Sequence, residues 1–201
     1  VEALWYKEDR APSVTLPTHD IAVDGVSHGD VEVWPEEAKM TTTVTITAPA
    51  GWVNPYTDVA VTAWYYDAVG YASANGIMGG TSATTFSPNT GMTRGMFVTA
   101  LGRLAGVDPT DGTNPDGNVT REELVTMLYR YAGSPEMNVP ELGLINGYPD
   151  SADISDWAQN AFAWALSTGV IDGRDGKLAA GESVTRAEAA TILARFHMLS
   201  K

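Results

Sequence analysis

Three Thr-Arg pairs stand at the mouths of apolar helical patterns: Thr93-Arg94, Thr120-Arg121 and Thr185-Arg186. Four residues after each Thr comes Phe97, Leu124 or Ala189, and eight after comes Leu101, Leu128 or Leu193. Ten after is always arginine: Arg103, Arg130 and Arg195. Eleven after is Leu104, Tyr131 or Phe196. One spacing written three times is an internal repeat, and a repeat constrains the fold more than any single motif. It predicts a set of small helical units, each with one cation at a helix start.

Around two of the pairs the repeat extends further. Asp58, Trp64, Ala68, Tyr71, Gly76-Ile77-Met78 and Gly80 precede the first pair. Asp150, Trp157, Ala161, Trp164, Gly169-Val170-Ile171 and Gly173 precede the third. Each predicts a helix, a glycine stop, a short loop and a second helix. Trp64 with Ala68 and Tyr71, and Trp157 with Ala161 and Trp164, fall on one helical face, which argues for core packing. The middle copy is shorter. Only 14 residues separate Ala105 from Thr120, too few for a Trp-bearing first helix.

Residues 1–51 differ in texture. Asp30-Val31-Glu32-Val33-Trp34 and Thr43-Val44-Thr45-Ile46-Thr47 alternate polar and apolar positions, the half-buried strand pattern. The expected fold class is therefore α+β and mainly helical: an N-terminal β segment over 1–51, then helix-loop-helix units over 52–106, 107–134 and 135–201, the second truncated.

Composition narrows the chemistry. Cysteine is absent, which removes disulfides, thiolate nucleophiles and zinc-thiolate sites. A net charge of -13 argues against a nucleic-acid partner held by a diffuse basic field. No apolar run is long enough for a membrane span, and Val1 to Pro12 shows no signal peptide. His19, His28 and His197 share no metal-ligand spacing. Asn114, Asp116, Gly117, Val119 and Glu123 mimic part of a calcium loop, but Gly112 stands where its first acid belongs and Pro115 disturbs the turn. No metal and no cofactor is expected. Without a nucleophile elbow, a phosphate loop or a defensible carboxylate pair, neither is an enzyme.

Asp followed by a Trp-bearing apolar helix, then Gly-Ile or Gly-Val, Gly, and a Thr-Arg helix ending in Leu-x-Arg resembles the S-layer homology repeat. Val184-Thr185-Arg186-Ala187-Glu188 matches that family's signature pentad, Val119-Thr120-Arg121-Glu122-Glu123 is a variant, and Met92-Thr93-Arg94-Gly95-Met96 lacks the acid. The N-terminal stretch from His28 to Thr47 resembles small β repeats of bacterial surface proteins. The repeat resemblance implies a three-lobed helical prism, here with an incomplete middle lobe. It implies an extracellular protein of the bacterial cell envelope, bound non-covalently to secondary cell-wall polysaccharide, often through a pyruvylated, anionic sugar. The alternative is a structural subunit of the surface whose partner is another copy of itself.

Residue roles follow. Thr93, Thr120 and Thr185 are expected N-caps, with Glu123 and Glu188 completing capping boxes. An arginine next to the cap opposes the helix dipole, so Arg94, Arg121 and Arg186 require an anion. That anion is either an internal carboxylate such as Asp58 or Asp150, or a ligand held by the guanidinium together with free helix N–H groups. Under the second reading these three arginines grip the glycan acid, Arg186 more than Arg121 because its unit is complete. Trp64, Tyr65, Tyr66, Trp157 and Trp164 are then candidate faces for sugar rings, and Asp175 a further candidate contact. Tyr65 and Tyr66 are adjacent, so at least one should be exposed.

Overall fold

The structure, a computed structural model of the chain, describes residues 18–23, 26–32, 44–105 and 115–200, with backbone alone for 18–32, 139 and 140. The chain divides into two units, Val1–Met40 and Thr41–Lys201. In the first, β1 (Thr18–Val23) and β2 (Val26–Glu32) form an antiparallel pair, Thr18 opposite Glu32 and Val23 opposite Val26, with a register shift between Asp20 and Ala22. Of the expected strand Asp30 to Trp34, the part to Glu32 is present; Val33, Trp34, Thr43, Gly112 and Asn114 lie outside the described residues.

The described part of the second expected strand, from Val44, is not one. Residues 44–48 alternate half-buried and exposed as the pattern requires, yet no strand among the described residues pairs with them. Instead Ile46 and Trp52 pack on the helical core, Trp52 meets Tyr66 edge-on at 5.5 Å, and Ala48 N donates to Asp67 Oδ1 at 3.0 Å. The boundary expected at residue 51 thus falls about ten residues earlier, before this packing segment.

The helical unit holds α1 (Tyr66–Ala74), α2 (Arg94–Ala105), α3 (Arg121–Tyr131), α4 (Val139–Gly143), α5 (Gln159–Ser167) and α6 (Arg186–Leu199). Thr120 and Thr185 cap α3 and α6, and Glu123 and Glu188 return the bond to complete both capping boxes. At α2, Thr93 Oγ1 accepts from Met96 N at 3.2 Å, but Met96 has no carboxylate to return. Gly76 and Gly169, at φ +70° and +74°, end α1 and α5 in the left-handed conformation that glycine adopts without a Cβ penalty. The apolar sides close on one core containing Phe86, Phe97, Phe162, Leu128 and Leu193, with α1 against α6 and α5 against α3. Among the described residues no helix stands between α2 and α3, so α2 lacks such a cover. Val98 and Leu101 are half-buried, whereas their repeat counterparts Val125, Ala190, Leu128 and Leu193 are completely enclosed.

Three short segments before the second helices tie the lobes together. Met92 N donates to Val184 O, Val184 N to Val119 O, and Val119 N to Met92 O, at 2.7, 3.1 and 2.9 Å. Each lobe gives one bond and takes one, which produces the three-lobed arrangement with the shortened middle lobe still in its place.

Candidate functional site

Two of the Thr-Arg arginines are buried against loop carbonyls, and the third, Arg94, meets a carboxylate of the chain itself, Glu123. Arg186, 5% exposed, donates from Nε to Phe86 O at 2.9 Å and from Nη2 to Gly79 O at 2.7 Å. Its guanidinium lies 4.8 Å from the Phe86 ring centre. Arg121, also 5% exposed, repeats this with Leu178 O and Asp172 O. Each arginine therefore reaches from its own helix to the loop of another lobe. Burial pulls both guanidinium groups below their usual range.

Asp58 and Asp150 hold the same two loops by their N–H groups. Asp58 accepts from Phe86 N and Ser87 N at 2.8 and 2.7 Å, and Asp150 from Leu178 N and Ala179 N at 2.9 and 2.7 Å. Desolvation pushes these carboxyls up, but the N–H donors outweigh it and hold both below the ordinary value of 3.8. The expected internal carboxylates thus act on the loop amides, while the arginines take the loop carbonyls.

The expectation of free helix N–H groups is corrected. Arg186 N and Ala187 N donate to Thr90 O and Pro88 O, Arg121 N and Glu122 N to Glu182 O and Ala180 O, and Arg94 N and Gly95 N to Gly117 O and Pro115 O. The third N–H in each turn goes to the capping threonine. These helix starts are closed to an anion because a neighbouring loop already supplies the acceptors.

Two equivalent grooves lie where a second helix faces the loop that an arginine clamps. The α6 groove, roughly 430 Å3, runs between α6 and residues 171–175, with Arg121 at its base and Trp64 at its edge. Its charges pair internally: Arg174 with Glu188 at 3.0 Å and with Glu182, and Arg195 with Asp172 at 2.6 Å. Arg195 Nε is buried without a partner. Glu188 serves Arg174 with Oε1 and the Thr185 cap with Oε2. Burial works to raise it, and the cap bonds with Arg174 bring it below its ordinary 4.5.

The α2 groove, roughly 320 Å3, lies between α2 and residues 78–81, over Arg186. It contains Arg103 and Arg186 with no carboxylate and no aromatic residue in its lining. At the third position, beside α3, no counterpart loop stands among the described residues. Arg94 there pairs instead with Glu123 at 2.6 Å, both partly exposed.

The aromatic expectations divide. Trp64 and Trp157 are not core residues: they are 67% and 53% exposed. α1 begins at Tyr66, and Trp157 lies in a 3-10 turn over Asp156–Ala158 before α5, so both fall outside the helices whose apolar face they were counted on. Trp164 is the reverse, 8% exposed between Tyr129 and Phe196, and offers no face to a ligand. Tyr65 and Tyr66 are both half-buried, against Trp64 and Trp52, so neither is freely exposed. Asp175 is exposed at φ +53° in the turn that borders the α6 groove. Sequence reasoning gave no site role to Arg103 or Arg195, although the repeat marked both, and it passed over Arg174.

Comparison with known proteins agrees with this organisation. The S-layer homology domain model matches residues 55–95 and 147–190, the two complete units. Relatives include the endoglucanase of Bacillus sp. (strain KSM-635), 28% identical over 69% of this chain and 18% of its own. The exoglucanase XynX of Acetivibrio thermocellus is 36% identical over 44% of this chain and 8% of its own. The surface-layer 125 kDa protein of Lysinibacillus sphaericus is 27% identical over 70% and 10%. The chain thus spans under a fifth of each of these relatives, and the enzymes among them are matched over that small share alone. The undecaheme cytochrome from the S-layer of Carboxydothermus ferrireducens superposes with a TM-score of 0.45, at 16% identity, over 71% of this chain and 22% of that one. The chain thus carries two S-layer homology domains and a third unit that keeps the Thr-Arg helix and its cap, and these repeats indicate a place at the bacterial cell surface.

Proposed function

We propose that the chain attaches a bacterial surface protein to the wall by holding wall polysaccharide in the grooves between its lobes, without catalysis. The observation that carries this reading is the α6 groove: an indole 67% exposed beside a buried arginine anchored by two carbonyls. Exposed tryptophan at a groove edge supplies an apolar face for a sugar ring. Arg121, fixed through Nε and Nη2, keeps Nη1 as the nitrogen that no loop carbonyl holds, and Arg195 adds an Nε without a partner. Rigid donors of this kind suit the hydroxyl oxygens of a sugar at little entropic cost.

Arg121 and Arg186 act in this reading from below the grooves, as fixed donors. Arg94, engaged with Glu123, contributes least. Trp157 and Asp175 contribute at exposed edges, and Tyr65 supports Trp64 by an edge contact at 5.3 Å. Co-sedimentation with purified wall sacculi tests the reading. The chain should pellet with the walls, and Trp64→Ala should reduce pelleting about tenfold, the scale of one lost stacking contact; wild-type chain left in the supernatant would overturn it.

A second reading has its own observation. The uncovered side of α2, with Val98 and Leu101 half-buried, is an apolar strip of the kind that self-associating proteins cover. Attachment by copies of the chain predicts a mass that rises with concentration in light scattering, and Leu101→Glu would abolish the rise.

A further inference from the structure

The two grooves are built on one plan and differ in charge. Repeat equivalence aligns Asp172 with Gly79, Arg174 with Thr81, Glu188 with Met96, and Arg195 with Arg103. In the α6 groove three arginines face Asp172, Asp175 and Glu188, and two of those carboxylates already occupy Arg195 and Arg174. In the α2 groove every carboxylate position is replaced by a neutral residue, and both arginines remain. Arg186 is 95% enclosed and spends Nε and Nη2 on carbonyls; its Nη1 meets the Met96 sulfur at 3.8 Å, a weak acceptor. The carboxylate acting on Arg186, Asp58, is committed to Phe86 N and Ser87 N and does not line the groove.

We propose that the grooves divide the polysaccharide between them: the α2 groove takes its carboxylate-bearing units through Arg186 and Arg103, and the α6 groove takes neutral sugar units against Trp64. This rests on the attachment reading above. An acid entering the α6 groove would have to displace Asp172 or Glu188 from its arginine, whereas the α2 groove presents guanidinium groups with no competing carboxylate among its described lining residues. Its three methionines, Met78, Met92 and Met96, keep the surroundings apolar, where a charge-assisted bond gains strength. The chain is strongly acidic overall, so long-range attraction cannot bring an acidic polymer in, and discrimination must come from such a local site.

The test uses the full chain and soluble wall polysaccharide in two forms, native and with carboxyl groups chemically reduced to alcohols, in calorimetric titrations. Wild-type affinity should fall about tenfold on carboxyl reduction, as expected for loss of a charge-assisted pair. Arg103→Gln, at an exposed position, should bind native polymer as weakly as wild type binds the reduced form and no longer distinguish the two. Met96→Glu, which installs the counterpart of Glu188, should do the same. Trp64→Ala should weaken both polymers by one factor and keep their ratio. A ratio that survives Arg103→Gln and Met96→Glu but vanishes in Arg195→Gln would overturn the division, as would equal wild-type affinity for both forms. Absence of binding to either form would overturn the attachment reading itself and the division with it.

Discussion

The first lobe and the other two start from the same Thr-Arg pair and arrive at different chemistry. Arg121 and Arg186 reach a neighbouring loop, bury themselves and hold its carbonyls, while Arg94 turns to Glu123 in a partly exposed pair. The motif alone therefore does not make a site. The loop that the arginine clamps, itself held by an aspartate, converts a helix start into the floor of a groove. The shortened middle copy bears on more than one lobe: among the described residues the α2 groove has no tryptophan and the position beside α3 no loop. Among the described residues, the α6 groove alone keeps tryptophan, loop and clamped arginine together.

The largest effect that could break this contrast is Arg186→Ala. It leaves Phe86 O and Gly79 O without their donor at a lobe junction, a loss of about 2–4 kcal/mol. In a chain of this size that is a fall in melting temperature of roughly 6–12 °C, readable by calorimetry. Arg94→Ala, at a partly exposed pair, should cost under about 1 kcal/mol. Similar shifts for both substitutions would remove the distinction between clamp and surface pair.

Next comes the pair of loop glycines. A Cβ at Gly80 would meet Ser82 O and Thr85 O at 2.5 Å, both backbone atoms that cannot move aside. A Cβ at Gly173 would meet chiefly the Tyr148 ring at 2.6 Å, which can shift. Gly80→Ala should cost about 1–3 kcal/mol of overpacking and Gly173→Ala less; the reverse order in urea melts would show that the two loops are not equivalent.

The smallest effect is set by pH. The folded values of Asp58, Asp150 and Glu188 lie below their ordinary 3.8, 3.8 and 4.5. Their contribution is therefore complete above those ordinary values and is lost as the pH falls through the lower folded ones. Stability should hold down to about pH 5 and decline below about pH 4. Asp58→Asn with Asp150→Asn should flatten that decline, and an unchanged acid limb in the double variant would refute the role given to them.

The helix starts and the capping boxes were legible because each is local: the Thr-x-x-Glu spacing suffices. The arginine partners were not legible. Arg186 bonds to carbonyls 100 and 107 residues earlier, and no spacing rule reports a contact at that separation. The tryptophans were misjudged for a different reason. Trp64 and Trp157 keep the apolar helical spacing, but the helices begin after them, so periodicity counted residues that the backbone had already turned outward. The stretch over 44–47 failed likewise, since alternation records half-burial and cannot say whether a partner strand exists.

The closed circuit of Met92, Val119 and Val184 also sets an order of assembly. The Met92 amide is satisfied only by a carbonyl 92 residues downstream, and the carbonyl of Phe86 only by Arg186. As the chain leaves the ribosome, its first lobe must wait with these groups open until the last helix start has been synthesised. Closure of such distant partners is slow, and an intermediate waiting for it exposes apolar surface. A product that stops after α3 would never complete the circuit, so the final repeat is needed to finish the first.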